Sequence, residues 1–226
     1  SRGLVGSEMC IRDRSIFTLY DKSKLVEESK ALPGRLDAIF YPDIHFVTKK
    51  SYNELNLNEL QVLQFGMGCF WGAEKFFWEL PEVEFTSVGY ASGFTPNATY
   101  EEVCSGQTGH NEVVQVIFSP EKISLDDILK VFWENHDPTQ GMRQGYDTGT
   151  QYRSGIYYSD PNNLETINFF KDKYQSALTK NGYGEITTEV KEISNFYFAE
   201  EYHQQYLAKN PNGYCGHGGC GISLED

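Results

Sequence analysis

The sequence has no apolar stretch approaching the ~18 residues that a membrane-spanning helix needs. Cations are also scarce: 19 Lys and Arg stand against 32 Asp and Glu, giving a formal net charge of −13 and a pI near 4.8. Such a surface repels phosphate backbones and anionic lipid, which argues against nucleic-acid and membrane partners. Cysteine is sparse and odd in number, five in 226 residues, at positions 10, 69, 104, 215 and 220. That excludes a disulfide framework, and a chain this long does not need one. No apolar segment follows the early arginines, so a secretory signal is not expected. The expectation is a soluble, acidic monomer in a reducing, cytoplasmic setting, where a thiol is either a buried hydrophobe or a reactive group.

What the chain does have is large apolar side chains. Hydrophobic residues make up 39% and aromatics 15%, with 15 Phe and 15 Tyr, too many for a disordered chain. The length suffices for one domain with extensions. Residues 1–14 show no helical or strand periodicity and read as a non-native or disordered leader. Residues 15–59 are polar and mixed, with turns at Leu32-Pro33-Gly34 and Tyr41-Pro42-Asp43, and read as an arm lying over the domain. Residues 60–210 form the main body and 211–226 a mobile tail.

Within the body, Gln61–Phe65 reads as a strand with a tight exit at Gly66-Met67-Gly68. A helix fits Cys69–Leu80, with Pro81 as its stop. Strands are expected over Phe85–Tyr90, over Glu112–Phe118 (apolar enough to be buried on both faces) and over Tyr152–Tyr158. Ser124 opens a helix whose apolar residues Leu125, Ile128, Leu129, Phe132 and Trp133 share one face. A second long helix is expected from Asp160-Pro161 to Asn181-Gly182. A last strand fits Glu185–Ile193 and a last helix Phe196–Lys209. This order suggests an α+β fold, a two-layer α/β sandwich with a split βαβ core of the ferredoxin-like kind.

Chemistry concentrates at Gly68-Cys69-Phe70-Trp71-Gly72. A cysteine between a strand end and a helix start meets unpaired backbone N–H groups and the positive end of a helix dipole, which favour the thiolate. Flanking glycines leave the sulfur accessible, and Phe70 and Trp71 wall the site with aromatic surface. A buried structural cysteine fits the pentapeptide equally well. Glu112, at the mouth of an apolar strand, is placed to have a raised pKa and to act as an acid near neutrality; in isolation a solvated carboxylate fits as well. Gly145 to Arg153 packs polar groups between glycines, either a plain turn or a loop that builds a site. From Gly213 to Gly221 five of nine residues are glycine, around Cys215 and Cys220. A flexible segment of that kind can carry a thiol to oxidised sulfur, or can simply be a frayed end. Cys215, His217 and Cys220 supply only three metal ligands, too few for a structural zinc site.

Taken together, Gly68–Gly72, Ser105–Val114, His136–Gln140 and Gly149–Ser154 resemble the peptide methionine sulfoxide reductase A family, the likeness running from about Leu32 to Gly221. The resemblance implies a two-layer sandwich fold and thiol-dependent reduction of methionine-S-sulfoxide. It matches Cys69 to the nucleophile, and Phe70 and Trp71 to the pocket for the substrate's S-methyl group. Glu112 matches the acid, Tyr100, Asp147 and Tyr152 the groups that hold the sulfoxide oxygen, and Cys215 the resolving cysteine. Cys220 falls where relatives usually have no thiol and is assigned to a second disulfide exchange. Cys104, His110, His136 and His203 receive structural roles. No metal or organic cofactor is implied; the reductant is external, thioredoxin or dithiothreitol, and the substrates are oxidised proteins, peptides and free methionine sulfoxide.

Two other readings remain. One is cysteine-based acyl transfer with His110 or His136 as base, which leaves Glu112 and the tail thiols idle. The other is a non-catalytic module that binds oxidised methionine and needs no thiol.

Overall fold

In this computed structural model, residues 21–213, 216 and 218–224 are described. The leader 1–14, and Cys215 and His217 of the tail, lie outside them. Among the described residues, eight strands and five α-helices follow one another. In order they are β1 (Gln61–Met67), α1 (Phe70–Trp78), β2 (Val83–Ala91), α2 (Tyr100–Cys104), β3 (Asn111–Phe118), α3 (Leu125–Glu134), β4 (Arg143–Gln144), β5 (Asp147–Thr148), β6 (Ser154–Tyr158), α4 (Asn163–Lys180), β7 (Glu189–Glu192), β8 (Phe196–Phe198) and α5 (Tyr206–Lys209). Six strands form one sheet in the order β7-β6-β1-β3-β2-β8, while β4 and β5 make a small hairpin. All neighbours in the large sheet are antiparallel except β6 and β7. The fold is mixed α/β.

The centre of the sheet is β3, every residue of which is buried. Alternation puts Val114, Val116 and Phe118 on the helix side, in one core with Phe65 of β1, Phe77 of α1 and Phe132 of α3. The opposite face mixes polar groups with a small apolar cluster of Ala91, Val113 and Tyr157. Gly66 and Gly155 there leave room for Asn111, whose amide donates to the Arg153 carbonyl at 3.1 Å and to the Tyr157 hydroxyl at 3.0 Å.

Helix ends follow their capping residues. The Ser124 side chain accepts the Asp127 amide at 3.2 Å and starts α3. Gly182, at φ +80°, ends α4: its amide reaches the Thr179 carbonyl and that of Tyr183 the Leu178 carbonyl, a Schellman arrangement. The start of α4 falls two residues later than expected, because Asp160 and Pro161 form a separate turn in which Asp160 Oδ1 accepts the Asn162 amide at 2.9 Å.

Several expectations need correction. The first strand continues through Gly66 to Met67 before the chain turns. Thr150–Tyr152 is a short 3-10 turn, and β6 begins only at Ser154. The strand expected over 185–193 shrinks to Glu189–Glu192, since Ile186 and Thr187 donate their amides to Gln175 and Pro138 instead. The helix expected over 196–209 is largely absent. Phe196–Phe198 pairs with Gly89–Ala91 as an edge strand, a turn follows, and only Tyr206–Lys209 is helical. Gly89 explains the strand: a side chain there would collide with the Phe196 ring. Two elements were not anticipated, the β4–β5 hairpin and α2, the latter opened by a capping box between Thr99 and Glu102.

Residues 21–60 contain one 3-10 turn, Glu28–Lys30, and an isolated bridge between Ile44 and Ser51. This arm is tied along the body: Leu32 donates to the Gln107 carbonyl, the Arg35 guanidinium reaches Glu102 at 2.7 Å, and the Tyr41 ring stacks on Phe198 at 3.6 Å. The described part of the tail is docked as well. Ile222 and Leu224 are 7% and 3% exposed and belong to the main core.

Candidate active site

Cys69 is the N-cap of α1, at the point where β1 hands over to the helix. Gly68 makes this possible. Its φ is +91°, and a Cβ there would sit 2.5 Å from the Cβ of Gln144 in the hairpin. The Cys69 residue is 9% exposed, close to a ring of aromatic groups and to the first amides of the helix. One of those amides, of Phe70, donates to Glu112 Oε2 at 3.4 Å. Glu112 is 1% exposed at the start of β3, paired across the sheet with Tyr90. A helix N-terminus, a thiol and a buried carboxyl therefore converge at one end of the sheet.

The aromatic walls come from three segments. Phe70 and Trp71 open α1, Tyr100 opens α2, and His203 and Tyr206 arrive from the turn after β8. The Trp71 indole N–H donates to His203 Nδ1 at 2.9 Å, and the Tyr206 ring stacks on the indole at 3.9 Å. The His203 ring lies 5.1 Å from that of Phe70 and 4.6 Å from that of Tyr100. Burial pushes His203 down to about 3, so it stays neutral and accepts from Trp71. Tyr100 is set by Glu200, which takes the Tyr100 amide at 2.9 Å with one carboxylate oxygen and the Tyr90 hydroxyl at 2.8 Å with the other.

Cys69, Phe70, Trp71 and Tyr100 thus share one cluster, joined to Glu112 through the Phe70 amide. Asp147 and Tyr152 are buried at 7% and 3% exposure on the segment that begins with the hairpin against Gly68. That segment leads into β6, where Ser154 pairs with Met67 of β1. Of the expected site residues, Cys215 lies outside the described ones. Of the described residues on either side of it, Gly213 lies against Tyr206, and the Gly216 carbonyl is 3.7 Å from where Gly145 would carry a Cβ.

Cys220 is not brought to the site. It is half-buried against the main core, its sulfur 4.0 Å from the His136 carbonyl, and Tyr183 donates to its backbone oxygen at 3.1 Å. Glu134 Oε1 holds the next turn through the Ser223 hydroxyl at 3.0 Å and the Leu224 amide at 2.8 Å. Burial, helped by the negative charge of Asp137, pushes the Cys220 thiol up to about 12. Over residues 218–224 the glycine-rich tail lies against the body.

The two histidines considered as bases are committed elsewhere. His136 uses Nδ1 on the Phe132 carbonyl and Nε2 on the Ser154 hydroxyl, both at 2.7 Å. His110 gives Nε2 to the Thr95 carbonyl at 2.7 Å, and burial lowers its pKa. Acyl transfer with either as base loses its support. Among the described residues no group of three His, Cys, Asp or Glu side chains is placed to hold a metal ion, and no helix is long and apolar enough to cross a membrane.

Sequence reasoning missed Glu74, Glu200, Gln205 and Tyr206. A signal existed in His203-Gln204-Gln205-Tyr206, whose first three side chains are all buried despite their polarity.

A cysteine at the N-cap position of a helix, beside a buried carboxyl and several aromatic rings, is the arrangement of a thiol-based enzyme site. The family model described as peptide methionine sulfoxide reductase matches residues 61–219. A peptide methionine sulfoxide reductase MsrA of Saccharophagus degradans is 56% identical over 202 residues, covering 89% of this chain and 94% of the relative. MsrA 1 of Synechocystis is 55% identical over 202 residues, covering 89% and 91%. Among solved structures, methionine sulfoxide reductase A of Corynebacterium diphtheriae superposes with a TM-score of 0.80 at 43% identity, covering 88% of this chain and 99% of that one. Mxr1 of Saccharomyces cerevisiae in reduced form matches with a TM-score of 0.67 at 36% identity, covering 72% and 92%. The chain belongs to the peptide methionine sulfoxide reductase A family.

Proposed function

We propose that the protein reduces methionine-S-sulfoxide in proteins, peptides and free form to methionine. The observation that carries this reading is the Phe70 amide bonded to Glu112, one residue beyond the Cys69 cap of the same helix. A sulfoxide oxygen leaves sulfur only when protonated, so acid and nucleophile have to act on adjacent atoms. Phe70 and Trp71 receive the S-methyl group, while Tyr100, Asp147 and Tyr152 hold the oxygen. Attack by the Cys69 thiolate, with a proton from Glu112, transfers the oxygen to the cysteine sulfur. Methionine leaves, reduced by two electrons, and Cys69 becomes a sulfenic acid. The Cys215 thiol condenses with it, forming a Cys69–Cys215 disulfide and water.

An external dithiol closes the cycle. Mxr1, the yeast relative, has been solved in complex with Trx2, which supports thioredoxin as that reductant. In a second exchange Cys220 attacks the Cys69–Cys215 disulfide and presents a Cys215–Cys220 bond to thioredoxin. Its seat against Asp137 and Glu134 means that this exchange waits for residues 220–224 to undock. No prosthetic group takes part, and a monomer in the cytoplasm suffices. The same reading makes the core a ferredoxin-like split βαβ sandwich. It is supported by β3 lying between β1 and β2, and β1 between β3 and β6.

The test is turnover of the two separated sulfoxide epimers with dithiothreitol, followed by chromatography. Only the S epimer is expected to react, because exchanging methyl and oxygen would press the polar oxygen onto aromatic rings. Equal rates on both epimers would overturn the assignment.

A further inference from the structure

A fully buried carboxyl group with no part in the reaction described above lies one turn along the helix from the site. Glu74 is 0% exposed on α1, four residues after Phe70. Burying such a group without partners is costly, and an apolar residue is the ordinary occupant of a helix position facing a core. Glu74 has partners, and most of them belong to one residue. Its Oε2 accepts the Gln205 backbone amide at 2.9 Å, and its Oε1 accepts the Gln205 side-chain amide at 2.7 Å. The remaining contact is the Thr86 hydroxyl of β2, donating to Oε1 at 3.0 Å.

Gln205 is strained. Its φ and ψ are +46° and +43°, left-handed values that are unfavourable for a residue with a side chain. Beside it in the chain stand the two groups that fasten Trp71, His203 on the indole N–H and Tyr206 on the indole face. Both reach the same indole only because the chain reverses between them, and Gln205 is the point of reversal. An apolar residue at position 74 would fill the space, leave the Gln205 backbone amide without its acceptor and leave the side-chain amide only the Thr86 carbonyl at 3.4 Å.

We propose that Glu74 is a positioning residue for substrate binding: by clamping Gln205 in the left-handed conformation it holds His203 and Tyr206 on Trp71 and so sets the wall of the substrate pocket. The arm completes the clamp. His45 accepts the Val47 and Thr48 amides on Nδ1, so its Nε2–H faces the Thr86 hydroxyl at 2.9 Å and directs that hydroxyl's proton to Glu74. The cation whose charge reaches Glu74 is Lys209 of α5. This inference rests on Trp71 being a pocket wall, and the experiment separates the two ideas.

Steady-state and single-turnover kinetics on a methionine sulfoxide peptide are compared for four variants of the full chain. In Glu74→Gln the new amide confronts the Gln205 N–H groups. At pH 8, where the Glu74 carboxyl is ionised, KM is expected to rise about tenfold, the loss of one hydrogen bond to a charged group, with the saturated single-turnover rate little changed. Gln205→Asn tolerates the left-handed conformation but is too short to reach Glu74; it is expected to raise KM by about threefold. Adding Gln205→Gly to Glu74→Gln removes the conformational cost and is expected to recover part of the KM, which a general loss of stability would not do. A KM unchanged in both single variants, or a loss confined to the single-turnover rate, overturns the role of Glu74. Trp71→Leu with unchanged KM overturns the pocket reading itself.

Discussion

The backbone amide of Phe70 donates to Oε2 of Glu112 at 3.4 Å, so the residue next to the Cys69 sulfur is bonded to the group proposed as the acid. This contact joins β3 to the first turn of α1 and fixes the distance between two sequence motifs 42 residues apart. Cys69 and Glu112, the proposed nucleophile and acid, are therefore linked through the backbone of α1.

Glu112→Gln keeps the shape and can still accept from the Phe70 amide, but it holds no proton to donate. Single-turnover reduction should slow by ~10²-fold or more at neutral pH while substrate binding changes little. Rapid-quench kinetics with a sulfoxide peptide measure it. An unaltered rate would transfer the acid's role to Asp147.

Gly68→Ala should damage both stability and activity. The new Cβ would meet Gln144 at 2.5 Å, at a φ of +91° that alanine tolerates poorly. The conformational cost alone is ~1–2 kcal/mol, and relief requires moving either the hairpin or the Cys69 cap. Urea unfolding and single-turnover rates together are expected to fall; full activity in a destabilised protein would show that the hairpin yields and Cys69 stays.

At Cys220, a thiol pushed up to about 12 is protonated in the resting enzyme. Its thiolate population is about a thousandfold below that of an ordinary cysteine at the same pH. Iodoacetamide should label it slowly in the reduced protein and faster once Asp137→Asn removes the neighbouring charge. Cys220→Ser is expected to lower thioredoxin-driven turnover while one methionine per enzyme still forms without reductant. Unchanged thioredoxin-driven turnover would leave Cys215 as the only resolving thiol.

Glu74 makes stability depend on pH. Burial pushes its carboxyl up to about 7 from an ordinary 4.5, so the folded protein holds a proton that the unfolded chain releases. Its contribution is fully favourable below pH 4.5 and is lost as pH rises through 7, a swing of about 3 kcal/mol. Relative to Glu74→Gln, the parent protein should lose stability between pH 5 and pH 8 in urea titrations. A difference that stays flat with pH would show that the carboxyl is not desolvated.

The legible parts of the fold were those whose signal is local. β3 reads from its unbroken apolar run and α3 from a single apolar stripe behind Ser124. The segment 196–209 was misread because its fate depends on distant partners: Gly89 admits Phe196 to the sheet edge, and the Gln204 side chain takes the Val88 amide and carbonyl at 3.0 and 2.8 Å. The short helix α2 escaped although Thr99-Tyr100-Glu101-Glu102 carries the capping-box spacing. At the site, Cys69, Glu112 and the aromatic pair stood out through glycine spacing and position. Glu74 and Gln205 did not, since a carboxyl and an amide 131 residues apart gain meaning only when the chain has brought them to 2.7 Å.

The docking of Ile222 and Leu224 into the core has a consequence for how the enzyme is made. These two residues pack with α3 and α4, elements that were synthesised long before them. On the ribosome, the part of the core that they complete therefore stays open until residues 222–224 have cleared the exit tunnel. Until then the faces of α3 and α4 that receive Ile222 and Leu224 are exposed apolar surface, open to chaperones and to aggregation.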